Sequence, residues 1–202
     1  MRNQHLLVID KLDFRNNRKE LILSYILRAV GTVVFGAIFY WFYAKFYGAL
    51  SFFTLVNIEI NTVSPIVSIV LLILYIVFVL YLHEMIHATV FYITHGQKPI
   101  IGMKGLVIFA AAPEQTLSKK QLIINALAPI SVITIIGLLA LSVVPADFAS
   151  WVFIPTLVNA AAAGGDLMTV YFALKQKPDT LFNDIGDIIY ALENDIKRKG
   201  QK

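Results

Sequence analysis

Long apolar runs alternate with more polar connections along this chain. Four runs reach the roughly 20 residues a helix needs to cross the hydrocarbon core of a bilayer. They cover about residues 21–44, 65–94, 122–144 and 151–174. The pattern predicts an all-α membrane protein with four transmembrane helices.

The connection after the second run reads KPIIGMKGLVIFAAAPEQTLSKK. Its two short β-prone stretches, 100–101 and 106–109, flank GMKG, which predicts a short β-hairpin or re-entrant loop. An exposed strand edge there could hold an extended peptide by strand addition. From Asp179 onward the pattern changes: Leu181, Ile185, Ile188, Leu192 and Ile196 recur at helical spacing, predicting a C-terminal amphipathic helix on the membrane surface or docked on the bundle. The expected organisation is a membrane-embedded domain over 1–178 and a cytoplasmic amphipathic tail over 179–202.

Composition agrees with this reading. The chain is 58% hydrophobic and 15% charged, against about a quarter charged in soluble domains. There are no cysteines, which excludes disulfides and thiolate metal ligands, so any metal must be held by imidazole, carboxylate or neutral oxygen. A net charge of +4 raises the question of nucleic acid, but the placement of the charge answers for a membrane surface. Arg2, Lys11, Arg15, Arg18 and Lys19 precede the first run. Lys98, Lys104, Lys119 and Lys120 follow the second, and Lys175, Lys177, Lys197, Arg198, Lys199 and Lys202 follow the fourth. The other two connections carry only Lys45. Cationic residues favour the cytoplasmic side, so the pattern predicts a multi-pass protein of the cell membrane with both termini in the cytoplasm. The polar N-terminal segment lacks the layout of a cleavable signal.

The chemistry lies in the second run, at YLHEMIHATV. Titratable side chains inside a membrane helix are costly and default to a functional reading. His83 and His87 are four apart, hence on one helix face, and their ring nitrogens can share a Zn²⁺ ion at about 2.0–2.1 Å. Glu84, one position round the axis, is set to take a proton from a water at that ion, as in HExxH hydrolases. Catalytic zinc takes three protein ligands. His5 and His95 are badly placed for the third: one is in the N-terminal segment, the other two turns beyond His87. Asp166, in VNAAAAGGDLMTV, is the acidic residue inside the third or fourth run and the expected ligand; Glu114 is a second choice. Depth supports Asp166. It lies nine residues before Lys175, and His87 lies eleven before Lys98, similar heights at about 1.5 Å per residue.

Asn159, almost two turns before Asp166, is a candidate for binding a substrate backbone or a developing oxyanion, with interhelical hydrogen bonding as the plainer role. Gly164, Gly165 and the alanines at 160–163 are small enough to let a neighbouring helix approach. Asn125 and Pro129 in NALAPI read as packing elements of the third helix.

HEMIH in one membrane helix, with Asn and Gly-Asp in a later one, resembles the site-2 protease type of intramembrane metalloprotease. The chain looks closer still to a bacterial family of short membrane zincin peptidases that share HExxH and a later Gly-Gly-Asp. The resemblance covers about residues 65–175. It implies zinc on His83, His87 and Asp166, catalysis by Glu84, and a substrate-side role for Asn159. The chain departs from the site-2 pattern in having no proline between Asn159 and Asp166 and a leucine after the aspartate. The expected function is a zinc-dependent membrane endopeptidase acting on membrane-associated or transmembrane peptides, with membrane lipid and peptide substrate as partners and no nucleic acid. The alternative is a non-catalytic zinc-binding membrane protein, a pseudo-protease that binds or regulates membrane partners. A metal transporter would need polar groups spread through the bilayer, where this chain offers one cluster.

Overall fold

The structure is a computed structural model that describes residues 6–14, 16–48, 57–58, 63–95, 99–104, 107–111, 113 and 115–194. His5, Arg15, Lys98, Glu114 and the end of the tail, Ile196 included, lie outside the described residues. In chain order the elements are β1 (Leu6–Asp13), α1 (Arg18–Tyr47), α2 (Pro65–His95), β2 (Ile100–Lys104), β3 (Val107–Ala111), β4 (Leu117–Ser118) and α3 (Lys119–Leu141). A 3-10 turn (Ala146–Phe148) leads into α4 (Ala149–Ala162), α5 (Gly164–Lys175), β5 (Leu181–Asp184) and β6 (Ile188–Asn194).

The protein is mostly helical, with four helices long and apolar enough to cross a membrane: Arg18–Tyr47, Pro65–Thr94, Lys119–Leu141 and Ala146–Lys175. They expose large apolar side chains; Val33 is 72% and Ile66 74% exposed. In water such surface would be a liability, whereas against acyl chains it is the expected exterior.

Local signals start these helices where they start. The Asn17 side-chain oxygen accepts from the Lys19 N–H at 3.1 Å, an N-cap for α1. Ser64 precedes Pro65, and its hydroxyl accepts from the Val67 N–H at 3.4 Å; proline suits a first helical position because no intrahelical acceptor is waiting for its missing N–H. Ser118 and Gln121 form a capping box for α3: the Ser118 hydroxyl accepts from the Gln121 N–H at 3.3 Å, and Gln121 Oε1 accepts from the Ser118 N–H at 2.8 Å. The fourth span breaks at Ala163, which caps α4 and donates its N–H to the Asn159 carbonyl at 3.1 Å. Asp166 consequently falls in the first turn of α5, where the free N–H ends of a helix favour a negative charge.

The chain divides into two compact units. The first comprises Met1–Tyr25, Glu84–Ala128 and Gly165–Lys202; the second comprises Ile26–His83 and Pro129–Gly164.

The first unit holds the β-structure. A four-stranded sheet has the order β1-β6-β5-β4, and β2 pairs with β3 in a separate two-stranded sheet. All pairings are antiparallel: Leu6 stands opposite Asn194, Leu181 opposite Leu192, Leu117 opposite Phe182, and Ile101 opposite Ala110. The C-terminal segment is therefore not the amphipathic helix its spacing predicts. Leu181, Ile185, Ile188 and Leu192 fit a helical period, yet the side chains driven deepest include Phe182, Ile189 and Ala191. Two local features work against a helix. Asp184 Oδ1 accepts from the Gly186 N–H at 2.8 Å, an Asx turn that reverses the chain. Gly186 has φ +93, a conformation costly for any residue with a Cβ. The backbone groups of 181–184 and 188–194 then pair with β4 and β1, partners that lie on the far side of the membrane spans in sequence. Phe182 is fully buried and meets the Phe172 ring edge-on at 6.0 Å; such a burial contributes about 2–3 kcal/mol. The Asn183 carboxamide donates to the carbonyls of Pro113 and Gln115 at 2.8 and 2.9 Å.

The second unit is helical. Its core gathers Phe39, Tyr43, Leu141, Ala149 and Phe153, with Phe39 and Phe153 packed edge to face at 6.3 Å. The Tyr47 hydroxyl lies 2.8 Å from the Leu141 carbonyl and also meets that of Val144. At Gly137 of α3 a Cβ would stand 2.7 Å from Thr156 Oγ1 and 2.8 Å from its Cγ2. That is the close helix–helix approach small residues permit. At Gly165, one of the glycines expected to serve that purpose, a Cβ would meet nothing within 4 Å.

Candidate metal centre

One helix carries the first half of the site. His83 and His87 are one turn apart on α2 and are 5% and 8% exposed. Each ring is held by its Nδ1. His83 Nδ1 lies 2.8 Å from Asn159 Oδ1, and His87 Nδ1 lies 3.0 Å from the backbone carbonyl of Asn125. A carbonyl oxygen can only accept, so each ring donates from Nδ1, and Nε2 is the nitrogen on the opposite side of the ring. Hydrogen-bonding the far nitrogen in this way is how proteins fix the tautomer and orientation of a metal-ligating histidine.

Asp166 supplies the second half. Its Oδ1 is 3.3 Å from His87 Nε2. One ligand atom each from His83, His87 and Asp166 lie within 4.8 Å of one another. Two imidazoles and a carboxylate, mutually close and largely buried, match the donor set and number of catalytic zinc sites. The fit rests on this donor set and its closeness, with each ring oriented by a hydrogen bond at Nδ1 and His87 Nε2 facing Asp166.

Glu84 lies in the same stretch of α2, part-buried. Its Oε2 accepts from the Ala110 N–H of β3 at 3.0 Å. The hairpin thereby fixes the carboxylate that the sequence nominates as the base, and β2–β3 is tied to the site through the backbone.

Asn159 is fully buried, with its oxygen on His83. The structure thus gives it a histidine-orienting contact, of the interhelical kind that stood beside the substrate-binding reading. The side chain of His95 is outside the described residues, as are His5 and Glu114.

Sequence reasoning missed Asp184. This β5 residue lies near enough to His87, Asp166 and Glu84 to feel their charges. Burial pushes its carboxyl up to about 6, against the stabilising Gly186 N–H and the His87 ring, with Asp166 and Glu84 adding to the rise. It escaped notice because the segment reads as the polar face of a helix. The available signal was Asn-Asp-Ile-Gly between two apolar runs, a turn sequence between strands.

The chain thus combines four helices long and apolar enough to cross a membrane with a His83-His87-Asp166 group that could hold a metal ion. Residues 76–182, more than half of the chain, match the family described as "Putative zincin peptidase", and the chain belongs to that family. The matched segment contains His83, Glu84, His87, Asn159 and Asp166. No curated protein and no solved structure gives a match.

Proposed function

We propose that the protein is a zinc-dependent membrane endopeptidase hydrolysing membrane-associated or transmembrane peptides. The observation that carries this reading is the approach of the His83, His87 and Asp166 ligand atoms to within 4.8 Å of one another beside the Glu84 carboxylate. These three residues would hold Zn²⁺. When bound, the ion supplies positive charge that acidifies a water and polarises a peptide carbonyl.

The chain's own groups do the rest. Asn159 and the Asn125 carbonyl hold the two imidazoles in one tautomer and orientation. Glu84 takes a proton from water at its carboxylate and returns it to the departing amine, general base and then general acid. The Ala110 N–H fixes the direction of the Glu84 carboxylate. The β2–β3 hairpin offers a backbone edge on which an extended peptide can lie, and extension matters because a helical peptide bond is shielded by its neighbours. The basic connections support an orientation with both termini in the cytoplasm and the site in the inner part of the bilayer.

The test is metal content of the detergent-purified full chain. Wild type should carry about one zinc ion, His83→Ala and Asp166→Ala should lose it, and Glu84→Gln should keep it while losing cleavage of any peptide the wild type cuts. Full cleavage by Glu84→Gln overturns the proposal.

A further inference from the structure

Pro129 stands inside α3 and is fully buried. A proline within a helix removes one backbone donor, and its ring pushes against the carbonyl four residues earlier, so that carbonyl leaves the i→i−4 ladder. Four residues before Pro129 is Asn125. The Asn125 carbonyl is the oxygen found 3.0 Å from His87 Nδ1. The helix break and the histidine's hydrogen bond therefore meet on one atom.

We infer that Pro129 is a positioning residue for the metal centre. By withholding the N–H that would otherwise claim the Asn125 carbonyl, it turns that oxygen out of the helix to hold the His87 ring by Nδ1. The consequence appears on the other side of the imidazole, where Nε2 points to Asp166 Oδ1 at 3.3 Å. A helix carbonyl has no rotamers to freeze, so it orients a ring at less entropic cost than an Asn or Ser side chain would. The device is specific to proline because every other residue restores a donor at position 129. In sequence, the proline that reads as packing is the source of a hydrogen bond to a ligand on another helix.

The inference rests on the zinc reading above, and its test separates the two. Zinc affinity of the full chain in detergent is measured by competition with a chelator for four proteins: wild type, Pro129→Ala, Pro155→Ala, and a chain with lactic acid at position 129. Lactic acid gives an alanine side chain with an ester oxygen in place of the N–H. Loss of a partner to a metal-ligating histidine costs about 10–100-fold in affinity. The Asn125 carbonyl keeps a second lone pair in Pro129→Ala, so a loss of about tenfold is expected there. Pro155, buried within α4, frees the carbonyl of Trp151, and its replacement should leave affinity unchanged. The ester chain, with no donor at 129, should regain wild-type affinity. Zinc-free Pro129→Ala should unfold at a temperature no lower than wild type, since alanine is the better helix former; a merely structural proline predicts lower stability instead.

Wild-type affinity in Pro129→Ala, beside a zinc-binding wild type, overturns this inference alone. So does an ester chain as weak as the alanine chain. A wild type that takes up no zinc overturns the zinc reading and this inference together.

Discussion

Asn159 Oδ1 lies 2.8 Å from His83 Nδ1, so a carboxamide from the fourth span orients the first histidine of HEMIH. Asn159 is fully buried and offers the ring a fixed acceptor. Removing it should let His83 rotate and change tautomer. Asn159→Ala is expected to weaken zinc binding about 10–100-fold, while Asn159→Asp, which still accepts, should weaken it far less. Chelator competition measures both. Were Asn159 instead a substrate-binding group, Asn159→Ala would raise KM and leave zinc affinity alone.

Glu84 is held by the Ala110 N–H at 3.0 Å. Glu84→Asp keeps the charge but draws the carboxylate back by one methylene and breaks that hydrogen bond. Displacement of a catalytic group by about 1 Å can cost about 10²-fold in rate. Zinc content should stay at the wild-type level while kcat falls by about that factor, read by single-turnover cleavage of a peptide the wild type cuts.

The contact at Gly137 is a stability determinant. A Cβ there would stand 2.7 Å from Thr156 Oγ1, inside any tolerable separation. Gly137→Val should destabilise the helical unit by about 1–3 kcal/mol, as overpacking does. Thr156→Ala in the same chain removes the two nearest atoms and should recover part of the loss. Thermal unfolding in detergent of the single and double variants checks the pairing.

Asp13, in β1 outside the spans, is held well below the ordinary aspartate value of 3.8 by its hydrogen bond with Lys11 and by the N–H and carboxamide of Asn16. A depressed carboxylate stabilises the fold above its unfolded pKa, and that contribution is lost as pH falls through the native value. The difference in melting temperature between wild type and Asp13→Asn should be present at neutral pH and shrink below about pH 4.

How far the site could be read along the chain varied by residue. His83, Glu84 and His87 lie within one helical turn and a little more, so the helix period alone puts the two histidines on one face. Asp166 could be singled out because an acid in an apolar span needs a partner, and a depth argument from the flanking lysines matched it to His87. Asp184 could not be matched this way. Its approach to the site depends on a turn at Gly186 and on β5 finding β4, neither of which leaves a periodic mark.

The tail shows the same limit in the fold. Leu181, Ile185, Ile188 and Leu192 satisfy a helical period, but a strand's hydrogen bonds are made with another segment, here β1 from the other end of the chain. Periodicity within one window carries no information about that partner.

The sequence by itself determined the four apolar spans and the HEMIH face, because hydropathy and helix pitch are local properties. Only the tertiary structure decided that Asn159 serves His83, that the Asn125 carbonyl serves His87, that the β3 backbone holds Glu84, and that the C-terminal segment joins a sheet. Those choices are hydrogen bonds between segments distant along the chain, and the chain must fold before either partner has the other within reach.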